Sequence, residues 1–210
     1  MYTPPANAVD DQSIVLALVR TAGFGHLVNQ SEEELQATAL PFLVDDTLTT
    51  LRAHVARANP HWRSLDGARA LMIVPVTDAY VSPGWYPSKA DEPRVVPTWN
   101  YEVVHVHGTV RAHHDPDAIQ SIVRDLTDLH EGQRTRVDAS PTRWSVNDAP
   151  AAFIERQLRA IVGLEMSIDR VDAKRKLSQN RSDRDHAGVA AGLATSGLAG
   201  SPEVADAMRA

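Results

Sequence analysis

Apolar and polar residues alternate most clearly over "WNYEVVHVHGTVRAH", residues 99–113. Val104, Val106 and Val110 fall on one face, and His105, His107, Thr109 and Arg111 on the other, the period of a half-buried strand. "LEMSIDRVD" alternates too, with Leu164, Met166 and Ile168 inward. "GFGHLVNQ" and "ELQATALPFLVDD" predict two earlier strands, joined by an acidic turn at Glu32, Glu33 and Glu34. A third strand begins in "TLTTLRAHVARANPHW" and stops at Pro60, and "ARALMIVPVTDAYVSP" is a fourth, with Pro75 marking an edge or a bulge.

Helical spacing takes over elsewhere. Residues 11–22 bring Ile14, Val15, Leu18 and Val19 together and end at Gly23. "DPDAIQSIVRDLTDLHE" gathers Ile119, Ile122, Val123, Leu126 and Leu129 on one face. "NDAPAAFIERQLRAIVG" predicts another helix, with Asp148 as N-cap and Pro150 in its first turn. A weaker helix covers "DHAGVAAGLATSG", where Gly188 and Gly192 each cost about 1 kcal/mol against alanine, and a short one follows Ser201. The three prolines, one glycine and four charges of "GWYPSKADEPRVVP" exclude regular structure there. This order lacks the βαβ rhythm of a parallel sheet. It predicts an antiparallel barrel or sandwich flanked by helices, one domain over residues 1–193 and a tail over 194–210.

Composition narrows the chemistry. The 210 residues contain no cysteine, which removes disulfides, thiolate nucleophiles and cysteine-held metals, and fits a reducing cytoplasm. No apolar run approaches a membrane span, and "MYTPPANAVDDQ" has neither the basic start nor the apolar stretch of a secretory signal. A net charge of −6 opposes binding to duplex DNA. The basic stretch "KRKLSQNRSDR" reads as a solvated loop or a site for a small anion.

Candidate sites follow from residue type and spacing. His105 and His107 lie on one strand face and could share a metal, but no third ligand is evident, so a pocket or subunit wall is favoured. The glycines of "AGVAAGLATSG" lack the spacing of a dinucleotide fingerprint or P-loop. His54, Arg57, Asn59 and His61 stand within eight residues at a strand end, where a guanidinium fork and an amide suit an anion. A surface ion pair of Arg57 is the alternative.

Five blocks together resemble one family: "MYTP", "LRAHVARANPHW" (51–62), "AYVSPGWY" (79–86), "VPTWNYEVVHVHG" (96–108) and "KLSQNR" (176–181). On these the chain is similar to the PaiB family, described as FMN-binding negative transcriptional regulators. The resemblance implies an antiparallel split β-barrel of the pyridoxamine-phosphate-oxidase type, mainly β with flanking helices. It implies a homodimer with FMN at the subunit interface. By the same resemblance Thr38, Ala39, Leu40 and the segment His54 to Asn59 grip the flavin phosphate, with Arg57, Asn59 and His61 at the phosphate itself. Trp99, Asn100 and Tyr101 line the cleft, and Lys176, Ser178, Gln179 and Arg181 approach it from the C-terminal strand. The family role is negative regulation of transcription, read here as indirect, since no basic recognition helix is evident and direct DNA contact is doubtful. Two alternatives stand beside it: a flavin-dependent oxidoreductase, with Tyr101 or His105 as proton donor, and a haem-binding split barrel using His105, His107, His113 and His114.

Overall fold

A computed structural model describes residues 1–31, 34–138 and 142–210; the acidic residues Glu32 and Glu33 lie outside that set. Six strands, β1 (Phe24–Gln30), β2 (Leu35–Val44), β3 (Thr50–Ala56), β4 (Arg69–Val81), β5 (Thr98–His113) and β6 (Ile161–Lys176), close a ring in the order β1-β2-β3-β6-β5-β4. The β1–β2, β2–β3, β3–β6 and β1–β4 pairs are antiparallel. Among the described residues the α-helices are α1 (Gln12–Ala22), α2 (His61–Leu65), α3 (Pro116–Val137), α4 (Ala151–Arg159), α5 (Asp183–Thr195) and α6 (Ser201–Arg209). The chain gathers into two compact units. The first is Met1–Ala22, Val74–His105 and Asp172–Ala210; the second is Gly23–Ile73 and Val106–Val171.

The second unit is built on period-two burial. Leu27 on β1, Leu40 and Phe42 on β2, Leu51, Ala53 and Val55 on β3, and Val162, Leu164 and Met166 on β6 are all buried. Each of these side chains except the smaller Ala53 contributes roughly 1.5–3 kcal/mol of hydrophobic stabilisation. Register follows the pattern: Leu27 faces Thr38, Phe42 faces Ala53 and His54 faces Gly163. Close approach demands glycine at Gly108, where a Cβ would stand 2.2 Å from the Ser167 carbonyl oxygen. Asp115 caps α3 by accepting from the Ala118 N–H at 3.0 Å.

The first unit has its own core of Ala79, Val81, Tyr86, Leu177, Val189, Ala190, Leu193, Val204, Ala205 and Met208. Three of these belong to α6, so residues 194–210 pack as part of this unit. The weak helix propensity of α5 also has a reason. A Cβ on Gly192 would lie 2.3 Å from the Trp85 ring, and one on Gly188 2.4 Å from the Trp85 carbonyl oxygen. The two glycines are the seat of Trp85.

Several local expectations are corrected. The 84–97 segment contains the end of one 3₁₀ turn, Pro83–Trp85, and a second, Pro87–Ala90, because each starts at a proline whose φ suits it. Asp148 does not cap α4. Its carboxylate accepts from the Ser145 N–H at 2.8 Å in a capping box on the 3₁₀ turn Val146–Asp148, and Pro150 precedes α4. α3 runs on to Val137, and Leu129 is exposed rather than inward. The basic stretch is no solvated loop at its start, since Lys174, Arg175 and Lys176 end β6. On β4 the buried phase shifts from Ala70, Met72 and Val74 to Ala79 and Val81, a change of register across Pro75 of the kind a bulge makes.

Candidate functional site

In the second unit, Thr38, Asn59 and His61 form one hydrogen-bonded group where β2 meets the start of α2. Asn29 Nδ2 donates to the Ser64 carbonyl at 2.7 Å, so its Oδ1 is the acceptor facing His61 Nε2 at 2.8 Å. His61 therefore carries its hydrogen on Nε2, and Nδ1 accepts from the Thr38 hydroxyl at 2.7 Å. Asn59 closes the circuit: its Nδ2 donates to Thr38 Oγ1 at 3.1 Å, and its Oδ1 accepts from the His61 N–H at 3.1 Å. His61 is 3% exposed, and burial pushes its pKa down from the ordinary 6.5. The group borders a cleft of about 270 Å³ lined by Thr38, Asn59 and His61 together with Glu34 and β2 residues 35–37. Apart from Glu34 its described lining carries no formal charge, and one amide N–H of Asn59 has no partner among the described residues.

Arg57 goes elsewhere. Its Nε donates to the Arg159 carbonyl at 2.7 Å, its Nη2 to the Ile161 carbonyl at 2.9 Å and its Nη1 to His114 Nδ1 at 3.3 Å. It lines a larger cavity, beside α3 and α4, rather than the cleft of Asn59 and His61. Of the remaining second-unit candidates, Ala39 is exposed on β2, and Leu40 is a core residue at 2% exposure. His54 is half-buried, its Nδ1 has no hydrogen-bond partner among the described residues, and burial lowers its pKa.

The first unit assembles the other candidates. Asn100 is fully buried; its Oδ1 accepts from the Ser178 hydroxyl at 3.0 Å and its Nδ2 donates to Met208 Sδ at 3.4 Å. That bond holds Ser178 at φ 63°, a left-handed conformation that a non-glycine residue keeps only when its surroundings require it. Gln179 ties the same turn, accepting from the Leu177 N–H at 2.7 Å and donating to the Arg175 carbonyl at 2.6 Å. "KLSQNR" is thus a rigid turn, anchored on the asparagine of "TWNY". Trp99 remains 53% exposed, edge-on to Tyr80 at 6.2 Å between centroids.

Beside that ring lies a cluster of cations. Lys174 and Lys176 stand 5.2 and 6.0 Å from the centre of the Tyr101 ring, and Arg181 lies 4.8 Å above Tyr86. Lys176 donates to Thr98 Oγ1 at 2.7 Å and to the Trp99 carbonyl. Burial, then the charges of Lys174 and Arg181, lower its pKa. Lys174 and Arg181 raise the energy of the Lys176 ammonium, and this concentrated charge beside half-buried Tyr101 and exposed Trp99 suits a flat, anionic ligand.

The histidines divide. His107 Nε2 accepts from Arg170 at 2.9 Å, and His114 packs edge-on against Trp62 at 5.1 Å. Among the described residues, no three or more His, Asp or Glu side chains are arranged to hold a metal ion. No helix of the described residues is long and apolar enough to cross a membrane. Sequence reasoning passed over Asn29 and took Lys174 only as part of the basic stretch "KRKLSQNRSDR". The signal for Asn29 was present, as a polar residue in phase with the inward Leu27.

The family model described as "Putative FMN-binding domain" matches residues 1–170. Protease synthase and sporulation protein PAI 2 of Bacillus subtilis is 28% identical over 192 residues, covering 90% of this chain and 87% of that protein. An uncharacterised protein of Emericella nidulans is 26% identical across all of this chain and 96% of its own. In fold, the chain is similar to the flavocytochrome Anf3 of Azotobacter vinelandii (TM-score 0.60, 16% identity, 86% and 74% covered). It is similar as well to a FAD and heme binding protein of Mycobacterium smegmatis (TM-score 0.58, 20% identity, 86% and 79% covered). The expected split-barrel architecture is the one found.

Proposed function

This chain belongs to the family described as "Putative FMN-binding domain", and we propose that it is a cytoplasmic, homodimeric flavoprotein that lowers transcription indirectly. Its cofactor is FMN. FMN, when bound, supplies a ring that accepts and returns electrons; the protein's part is to bind and orient it. The observation that carries the reading is the cation cluster of Lys174, Lys176 and Arg181 against Tyr101 and Tyr86. Concentrated positive charge beside half-buried Tyr101 and exposed Trp99 matches an anionic, planar cofactor. Asn100, Ser178 and Gln179 keep that surface rigid, so little ordering entropy opposes binding.

Indirect regulation is favoured by what the basic residues do. Arg175 pairs with buried Glu102, and Arg184 pairs with Asp91. Cations committed to their own chain are poorly placed to follow a phosphate backbone, and the net charge of −6 adds repulsion. The test is a visible spectrum of the purified protein with and without added FMN, joined to light scattering and to DNA binding at low salt. Stoichiometric flavin uptake by a dimer that ignores random and promoter duplexes is expected. Failure to take up FMN overturns the cofactor assignment; a flavin-loaded monomer overturns the dimer. Salt-sensitive DNA binding overturns the indirect role.

A further inference from the structure

The larger cavity of the second unit has no place in the cofactor assignment. It encloses about 600 Å³ between the start of α3, the 3₁₀ turn Val146–Asp148 and α4. That is the size of a pocket for a drug-sized molecule. We propose that it is a binding site for a small amphipathic monocarboxylic acid.

Its floor is apolar: Ile119, Val146 and Leu158 are buried side chains that nonetheless line the cavity, with half-buried Ile154 beside them. An apolar body resting there gains by removing both surfaces from water. At the edge stands Arg57. Two backbone carbonyls, of Arg159 and Ile161, fix its guanidinium, and His114 takes a third N–H. Two of its five N–H groups have no partner among the described residues, and it makes no carboxylate pair there. A guanidinium locked in place by main-chain oxygens has already lost its rotamer freedom, so a carboxylate binding to it meets little further entropic cost.

The charge of the ligand is set by the rim. Arg159 adds a second cation, while Asp117 and Glu155 bring two carboxylates to the same cavity. One negative charge at Arg57 is accommodated; a doubly charged phosphate ester would face both acids. This selects a carboxylate over a phosphate and separates the site from the one assigned to FMN.

The experiment titrates the whole protein, apo and FMN-loaded, with 4-phenylbutyrate, 4-phenylbutanol and 4-phenylbutyl phosphate. Calorimetry and tryptophan fluorescence follow binding. Trp62 is the reporter, because its Nε1 donates to the Arg57 carbonyl at 3.1 Å and its ring touches His114. One molecule of the carboxylate is expected to bind at least tenfold more tightly than either analogue. Arg57→Met should abolish that preference. Ile154→Asp, which leaves the Arg57 anchors intact, should weaken the carboxylate at least tenfold while FMN uptake stays normal. Equal binding of the three probes, no binding at millimolar concentration, or an Ile154→Asp protein that binds as before would overturn the proposal. FMN uptake, read separately in the flavin band, reports on the cofactor assignment alone.

Discussion

Nε2 of His61 lies 2.8 Å from Oδ1 of Asn29, and because the amide of Asn29 is held by the Ser64 carbonyl, that contact fixes the histidine as a neutral Nε2–H tautomer. The same contact orients everything built on it, since only a neutral Nδ1 can accept the hydroxyl hydrogen of Thr38. Buried and proton-poor, His61 makes the fold sensitive to acid. Its folded pKa is below the ordinary 6.5, so as pH falls past about 6.5 the unfolded chain takes up a proton that the folded chain refuses. His54 is shifted in the same direction by burial and adds to the effect. The urea midpoint should be flat from pH 8 to 7 and decline steadily from pH 6.5 to 5. A midpoint that rises on acidification would contradict the assigned tautomer.

Removing the imidazole should hurt twice over. His61→Ala strands the Asn29 carbonyl oxygen and frees the Thr38 hydroxyl, and each unsatisfied buried polar group costs about 1–3 kcal/mol. A loss of about 2–4 kcal/mol is expected in denaturant melts. Asn29→Ala should destabilise comparably, and the double variant by less than the sum, because both remove one shared contact.

Gly192 offers a prediction whose sign runs against helix propensity. Alanine is the better helix former by about 1 kcal/mol, yet its Cβ would fall 2.3 Å from the Trp85 ring. Overpacking of that kind costs about 1–3 kcal/mol. Gly192→Ala should therefore lower the melting temperature, and Trp85→Ala in the same chain should partly relieve the clash. A higher melting temperature for the single variant would show that Trp85 does not sit on α5.

The Arg175–Glu102 pair should act as a unit. Glu102 is 5% exposed and receives the Arg175 Nε at 2.5 Å. Arg175→Met leaves a buried carboxylate without its cation, a loss of about 3 kcal/mol. Adding Glu102→Gln should restore much of it, which a two-by-two set of urea melts would resolve.

Lys176 should matter to the cofactor more than to the fold. Lys176→Met removes one of three clustered cations and keeps the side-chain length. FMN affinity measured by flavin fluorescence quenching should fall about tenfold, equivalent to about 1.4 kcal/mol. Riboflavin, which lacks the phosphate, should lose less. Unchanged FMN affinity would remove the cluster from the binding surface.

Strands were legible in the chain because a half-buried strand writes its geometry into every second residue. Val104, Val106 and Val110 are inward, as their spacing requires. α1, α3 and α5 were legible through the 3.6-residue period, and a short helix was expected after Ser201, where α6 lies. Long-range polar contacts leave no such trace. Arg57 and Asn59 are two residues apart, yet one is drawn by the carbonyls of Arg159 and Ile161 and the other by Thr38, so neighbours in sequence serve different cavities. Leu129 looked inward by spacing, yet it is 37% exposed. Periodicity reports which face of an element is buried; it cannot report which distant carbonyl or amide will meet a polar tip, because that depends on how the elements pack.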